Sequence, residues 1–182
     1  MTVESSLILV SRGRLELLRN LLNSVRATTV LPFEVFVGCD EDDFSYLEVQ
    51  DLLKQDYPFL TLVFRPRREN LHEYMTELAH MSSGTLLFVL NDDCVLTNTG
   101  WDRLAKARLE AFGDVVMGQT NDDSIDKCGD YASFPIISRK AFNKLGFLLE
   151  ESCGNHGADI ITTRIYREAG KLIRLPEVEI SH

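Results

Sequence analysis

The segment from Thr85 to Leu96 constrains the fold more than any other part of the chain. In it an apolar run, Leu86-Leu87-Phe88-Val89-Leu90, passes through Asn91 directly into two adjacent carboxylates, Asp92 and Asp93. Bounded by Ser83-Gly84 on one side and Asn98-Thr99-Gly100 on the other, the run reads as the covered central strand of an α/β sheet. Ligand crevices open at the carboxyl ends of such strands, and a carboxylate pair placed there can hold a divalent cation through hard oxygen ligands. A lone Asp-Asp after a strand is more often a solvated turn, so the rest of the chain decides between the two.

Around this segment, strands and helices alternate. Leu7 to Val10 is a short strand that runs into Ser11-Arg12-Gly13-Arg14, and Leu15, Leu18, Leu21, Leu22 and Val25 then recur on one helical face. A second strand, Phe33 to Val37, ends in the acidic stretch Asp40 to Asp43, and Tyr46 to Gln55 follows as a helix. Leu60 to Phe64 forms a third strand, and the spacing of Leu71, Tyr74, Met75, Leu78 and Ala79 predicts a helix over 69–81. Trp101 to Phe112 reads as another helix, Asp114 to Met117 as a strand, and Asn121 to Tyr131 as a polar loop that lines or covers a site. Ser138 is placed to cap a helix over 139–145 that Gly146 ends, Ala158 to Ala169 makes a longer helix, and Leu172 to Leu175 and Val178 to Ile180 complete the sheet. This order gives a mixed, mainly parallel central sheet with helices on both faces, in a single domain over residues 1–182.

Composition narrows the functional classes. With 182 residues, 45% of them hydrophobic and 26% charged, the chain is an ordinary globular domain able to build a core. A net charge of −9 argues against a protein that grips nucleic acid through a basic face. Cys39, Cys94, Cys128 and Cys153 are widely spaced, with neither a zinc-ribbon pattern nor a leader sequence, which makes the cytoplasm the expected location. No apolar stretch nears the roughly 20 residues that span a bilayer, so contact with a membrane-bound acceptor would be peripheral.

Four features, in sequence order, resemble the nucleotide-sugar glycosyltransferases of the GT-A (Rossmann-like) fold, and their family-2-like branch most of all. They are the first strand entering Ser11-Arg12-Gly13-Arg14, the second strand ending at Asp40, the Leu90-Asn91-Asp92-Asp93 motif, and the tail from Gly157-Ala158-Asp159 to Glu179-Ile180-Ser181-His182. The resemblance implies that Ser11, Arg12 and Asp40 hold the base and ribose of a nucleoside, for which a carboxylate accepting from a base N–H is suited. The motif is similar to the family's Asp-x-Asp, with Asn91 where the first Asp is often found. That departure leaves the metal mainly to Asp93, with Asn91 and Asp92 near the ribose or the sugar. His182 stands where a His completes the metal shell in relatives, and an imidazole beside carboxylates suits Mn²⁺ ahead of Mg²⁺.

Asp159 matches the position of the base that deprotonates the acceptor in inverting relatives, although Ala158 replaces the acid that usually precedes it. An acid in the first turn of a helix also stabilises the helix dipole, whatever else it does. His156 is the second candidate, as base or as acceptor orienter. The implied activity is transfer of a sugar from a nucleoside diphosphate, UDP first, to an acceptor hydroxyl with inversion. Two other readings stand beside it. A sugar nucleotidyltransferase would want a glycine-rich triphosphate loop, which Ser11 to Arg14 is too glycine-poor to form. A non-catalytic nucleotide-sugar binding module gains weight from Asn91 and Ala158.

Overall fold

The computed structural model describes residues 2–122, 131–152 and 156–182. Most of the expected polar loop, together with Cys128 and Cys153, therefore lies outside the described residues. Eight strands form one sheet: β1 (Ser5–Val10), β2 (Phe33–Asp40), β3 (Leu60–Arg65), β4 (Leu86–Val89), β5 (Val95–Leu96), β6 (Met117–Asp122), β7 (Pro135–Ser138) and β8 (Leu172–Ser181). Their spatial order is β3-β2-β1-β4-β7-β6-β8-β5. The β3-β2-β1-β4 half is wholly parallel, whereas β7 runs antiparallel to both β4 and β6, and β5 runs antiparallel to β8. Seven helices are described: α1 (Leu15–Thr28), α2 (Phe44–Leu47), α3 (Gln50–Asp56), α4 (Leu71–Met81), α5 (Trp101–Phe112), α6 (Arg139–Leu145) and α7 (Ala158–Glu168).

The strands of the parallel half are apolar on both faces, and alternation sorts their side chains into two cores. Leu7, Leu9, Val35, Val37 and Phe88 point to one face and meet Leu18, Leu21, Leu22 and Val25 of α1 and Trp101 of α5. Ile8, Phe36, Val63, Leu87 and Val89 point to the other and meet Tyr74, Met75, Leu78 and Ala79 of α4 with Phe142 of α6. Helices therefore cover both faces. The ends of α6 follow expectation: the Ser138 side chain accepts from the Ala141 N–H, and Gly146 closes the helix at φ +84°.

One contact fixes α4 in place. A Cβ on Gly38 would fall 2.8 Å from the Tyr74 ring, so glycine lets that ring lie against β2. From there the Tyr74 hydroxyl reaches the carbonyls of Val63 at 2.5 Å and Cys39 at 3.0 Å.

Several boundaries differ from the sequence reading. The apolar run stops pairing at Val89, and the Cys94 N–H closes a turn on the Asn91 carbonyl at 3.3 Å. Val95 and Leu96 then leave for the far edge of the sheet, since Asn and Asp favour turns over continued strand. The expected 46–55 helix is two short helices with a break at 48–49. The strand expected at Asp114 begins at Met117. Pro135 to Ser138, where the sequence reading assigned no strand, is a strand in the middle of the sheet. The two short strands expected near the end are one, because a register shift between Thr120 and Asn121 lets β8 carry Pro176 without losing its partner. Among the described residues no helix is long and apolar enough to cross a membrane.

Candidate functional site

Because β1, β2 and β4 run parallel, the segments that follow them gather on one edge of the sheet. The first of these, Ser11 to Arg14, reaches across to the other two. Ser11 is buried, and its hydroxyl donates to Asp92 Oδ2 at 2.5 Å while lying 2.5 Å from the Tyr46 hydroxyl. Arg12 Nη1 pairs with Asp40 and with Asp42, each at 2.5 Å. The Gly13 N–H donates to Asp43 Oδ2 at 2.7 Å, and Asp43 in turn caps α2 through Ser45. Arg14 spans the motif, with Nη1 2.8 Å from Asp92 and Nη2 2.7 Å from Asp93.

These contacts set the electrostatics. Asp92 is 4% exposed. Burial pushes its carboxyl above the usual range, while the Ser11 hydrogen bond and the Arg14 charge pull it back. Hydrogen bonds from Arg12, to Asp42 first and Asp40 second, raise the guanidinium above its ordinary value and hold Asp42 below its own. Arg14 is raised in the same way, chiefly by its bond to Asp93.

A hollow of about 290 Å³ at this edge is bounded by Ser11, Arg12, Arg14, Asp40, Asn91 and Asp92. On the β3 side it adjoins a wider cleft of about 680 Å³ that shares Arg12 and Asp40 and adds Arg67 and Arg68. On the other side Asn91 also walls a third cavity of about 390 Å³, which contains His72, Phe134, His156, Asp159 and His182. The three form a crevice along the carboxyl ends of the strands. Ser11, Arg12, Asp40, Asn91 and Asp92 thus fall in one part of it, and His156, Asp159 and His182 in another.

His182 reaches the crevice through strand pairing. Val95 opposite Ser181 and Leu96 opposite Ile180 bring the residue after β8 alongside Cys94, next to the motif. Its ring packs edge-on to Phe134 at 5.1 Å between centroids. Asp159 sits in the first turn of α7, where its Oδ1 accepts from the Ile160 N–H at 2.8 Å.

Among the described residues, no three His, Cys, Asp or Glu side chains gather into a cage for a metal ion. Asp93 nevertheless keeps one buried oxygen, Oδ1, without a hydrogen-bond partner. A cation that takes its remaining ligands from a diphosphate needs only one or two protein carboxylates, and Asp93 fits that demand.

Sequence reasoning missed Tyr46, Asp43 and His72 as parts of this edge, and it gave Arg14 no role. The signal available was charge complementarity: Arg12-Gly13-Arg14 follows one strand, and Asp40 to Asp43 follows the next.

Comparison with known proteins agrees with this architecture. Residues 1–349 of S. aureus TarS superpose with a TM-score of 0.75 at 14% identity, covering 98% of this chain and 60% of that one. The mannosyltransferase PcManGT from Pyrobaculum calidifontis, solved with GDP-Man and Mn²⁺, gives 0.79 at 15% identity over 100% of this chain and 57% of its own. GalNAc-T7, solved with UDP, GalNAc and Mn²⁺, gives 0.74 at 16% identity, with 44% of its length covered. The chain thus spans about three-fifths or less of these proteins, and at such identities the likeness speaks for the fold, a GT-A fold. No protein of curated function matched the chain. The family model for glycosyl transferase family 2 matches residues 6–162, most of the chain and nearly all of the crevice, and the chain belongs to that family.

Proposed function

We propose that this chain transfers a sugar from a nucleoside diphosphate, with UDP as the first candidate, to an acceptor hydroxyl with inversion at the anomeric carbon. The observation that carries the proposal is the continuity of the crevice. Asn91 is shared between the hollow bounded by Arg12, Asp40 and Asp92 and the cavity that contains Asp159. A nucleoside diphosphate lying in the first part would point its sugar into the second. Related folds have been solved with UDP, with UDP-GlcNAc and with GDP-Man.

In this reading Ser11, Arg12 and Asp40 bind the nucleoside, with Arg12 already oriented by two acids. Asn91 and Asp92 lie beside the ribose and sugar. Asp93, with His182 as the second ligand, would hold Mn²⁺ or Mg²⁺, whose charge stabilises a departing diphosphate. Asp159 takes the proton of the acceptor hydroxyl as its oxygen bonds to the anomeric carbon. The bond from that carbon to the β-phosphate oxygen breaks, and its electron pair leaves with the diphosphate. His156, in the same cavity, is the alternative base.

A thermal-shift panel of UDP- and GDP-sugars, with and without Mn²⁺, tests the reading. A ligand at about 100 times its Kd adds roughly 2.7 kcal/mol to the native state, and the cognate donor is expected to raise Tm most when Mn²⁺ is present. Release of nucleoside diphosphate in the presence of an acceptor separates a transferase from a binding module. Pyrophosphate formed from a nucleoside triphosphate and a sugar phosphate would instead mark a nucleotidyltransferase.

A further inference from the structure

His72 lines the 390 Å³ cavity, and the proposed mechanism leaves its imidazole unused. It lies in the first turn of α4, where its backbone N–H donates to the Asn70 side chain at 3.0 Å. Tyr74, Met75, Leu78 and Ala79 of the same helix go into the core, whereas His72 lies in the wall of the cavity. Both of its ring nitrogens are buried, and neither has a hydrogen-bond partner among the described residues. Buried polar atoms in folded proteins are nearly always paired, so two bare nitrogens on one ring call for an explanation.

The protonation state narrows what could pair with them. Burial lowers the pKa of His72, against the upward pull of Asp159 and Glu151. A neutral imidazole offers one donor and one acceptor. An apolar group would satisfy neither nitrogen, and a phosphate oxygen can only accept, which leaves the second nitrogen bare. Water and hydroxyl groups both donate and accept, and a sugar ring carries several hydroxyls side by side that can displace such water.

We infer that His72 is a substrate contact that hydrogen-bonds the hydroxyls of a sugar ring seated between Asn91 and Asp159. The inference rests on the transferase reading of the crevice. Asn91 is shared with the hollow proposed for the nucleotide, and Asp159, the proposed base, lines the same cavity, so the ring belongs to the donor's sugar or to a carbohydrate acceptor. The Tyr74 hydroxyl bonds, two residues along the helix, anchor α4 and so hold the His72 ring in position.

Calorimetry on the full chain, wild type against His72→Phe and His72→Gln, tests this. UDP, UDP-GlcNAc, GDP and GDP-mannose serve as probes, with acceptor kinetics on whichever donor turns over. The quantity to read is the gain in affinity that the sugar adds to the bare nucleotide. His72→Phe is expected to cut that gain about tenfold while leaving nucleotide Kd within about twofold, with His72→Gln recovering part of it. A gain left intact together with a tenfold rise in acceptor KM also supports the contact and assigns it to the acceptor. An unchanged sugar gain and an unchanged acceptor KM in a folded variant overturn the inference alone. Should His72→Phe fail to fold, His72→Gln carries the same comparison. If the wild-type chain binds none of the four probes, the transferase reading falls and takes this contact with it.

Discussion

The two ends of the crevice are built on different principles. At the Arg12 end the polar groups answer one another within the protein: Ser11 to Asp92, Arg12 to Asp40 and Asp42, Arg14 to Asp92 and Asp93, and the Gly13 amide to Asp43. At the other end, among the described residues, neither ring nitrogen of His72 has a hydrogen-bond partner, Asp159 Oδ1 accepts from the amide of its own neighbour, and the His182 ring packs on Phe134. The first end is organised before a ligand arrives, which lowers the cost of binding one. Under the proposed reading, the second would turn its free hydrogen-bonding capacity to a substrate. Burial alone does not separate the ends, as Asp102 makes plain. That acid is fully buried, yet it accepts from the backbone amides of Val30 and Leu31, so it ties the first turn of α5 to the segment after α1 and has no open face for a ligand.

The sharpest way to break the comparison is to disable one end and watch the other. Asp159→Asn should lower kcat by about 10²–10⁴ while leaving the Kd for UDP within about twofold, as steady-state kinetics and calorimetry on the same sample would report. Near-normal turnover would move the base to His156. Ser11→Ala attacks the opposite end. It takes a hydrogen bond from a buried carboxylate and should cost about 1.5–3 kcal/mol in urea unfolding, with weaker nucleotide binding. Arg14→Gln should act more gently, since that side chain is 47% exposed and its pairs are partly screened by water. Freed of its countercharge, Asp93 should bind Mn²⁺ about two- to fivefold more tightly in calorimetry without nucleotide, and unchanged affinity would show that Arg14 does not compete with a cation there.

The smallest expected effect is one of pH. Burial sets the folded pKa of His72 below its ordinary value of 6.5, even with Asp159 and Glu151 nearby. As pH falls through about 6.5 the unfolded chain takes up this proton first, so the stability tied to the neutral ring is present above that pH and is lost toward the lower folded value. Tm should therefore drop less between pH 7 and 5.5 in His72→Phe than in the wild type. Equal slopes would mean that the ring is not held neutral.

Much of the parallel half was legible because its information is local. The apolar runs of β1 to β4, the spacing of Tyr74, Met75 and Leu78 in α4, and the Ser138 and Gly146 ends of α6 each follow from neighbours a few residues away. Tyr46 and His72 were hidden for the opposite reason. Each sits inside an ordinary helical pattern, and only the approach of Ser11, 35 residues from Tyr46, or of the cavity wall beside His72 gives it a task.

By itself the sequence determined the strands of the parallel half and most of the helices, that one strand delivers Asp92 and Asp93 to a sheet edge, and, through its resemblance, the GT-A fold. The tertiary structure alone decided that this strand breaks at Leu90, that Arg14 spans both acids, and that pairing β5 with β8 carries His182 alongside the motif. The physical reason is range. Periodicity fixes which face a side chain takes, but the register between strands some 85 residues apart is settled only when the whole sheet closes.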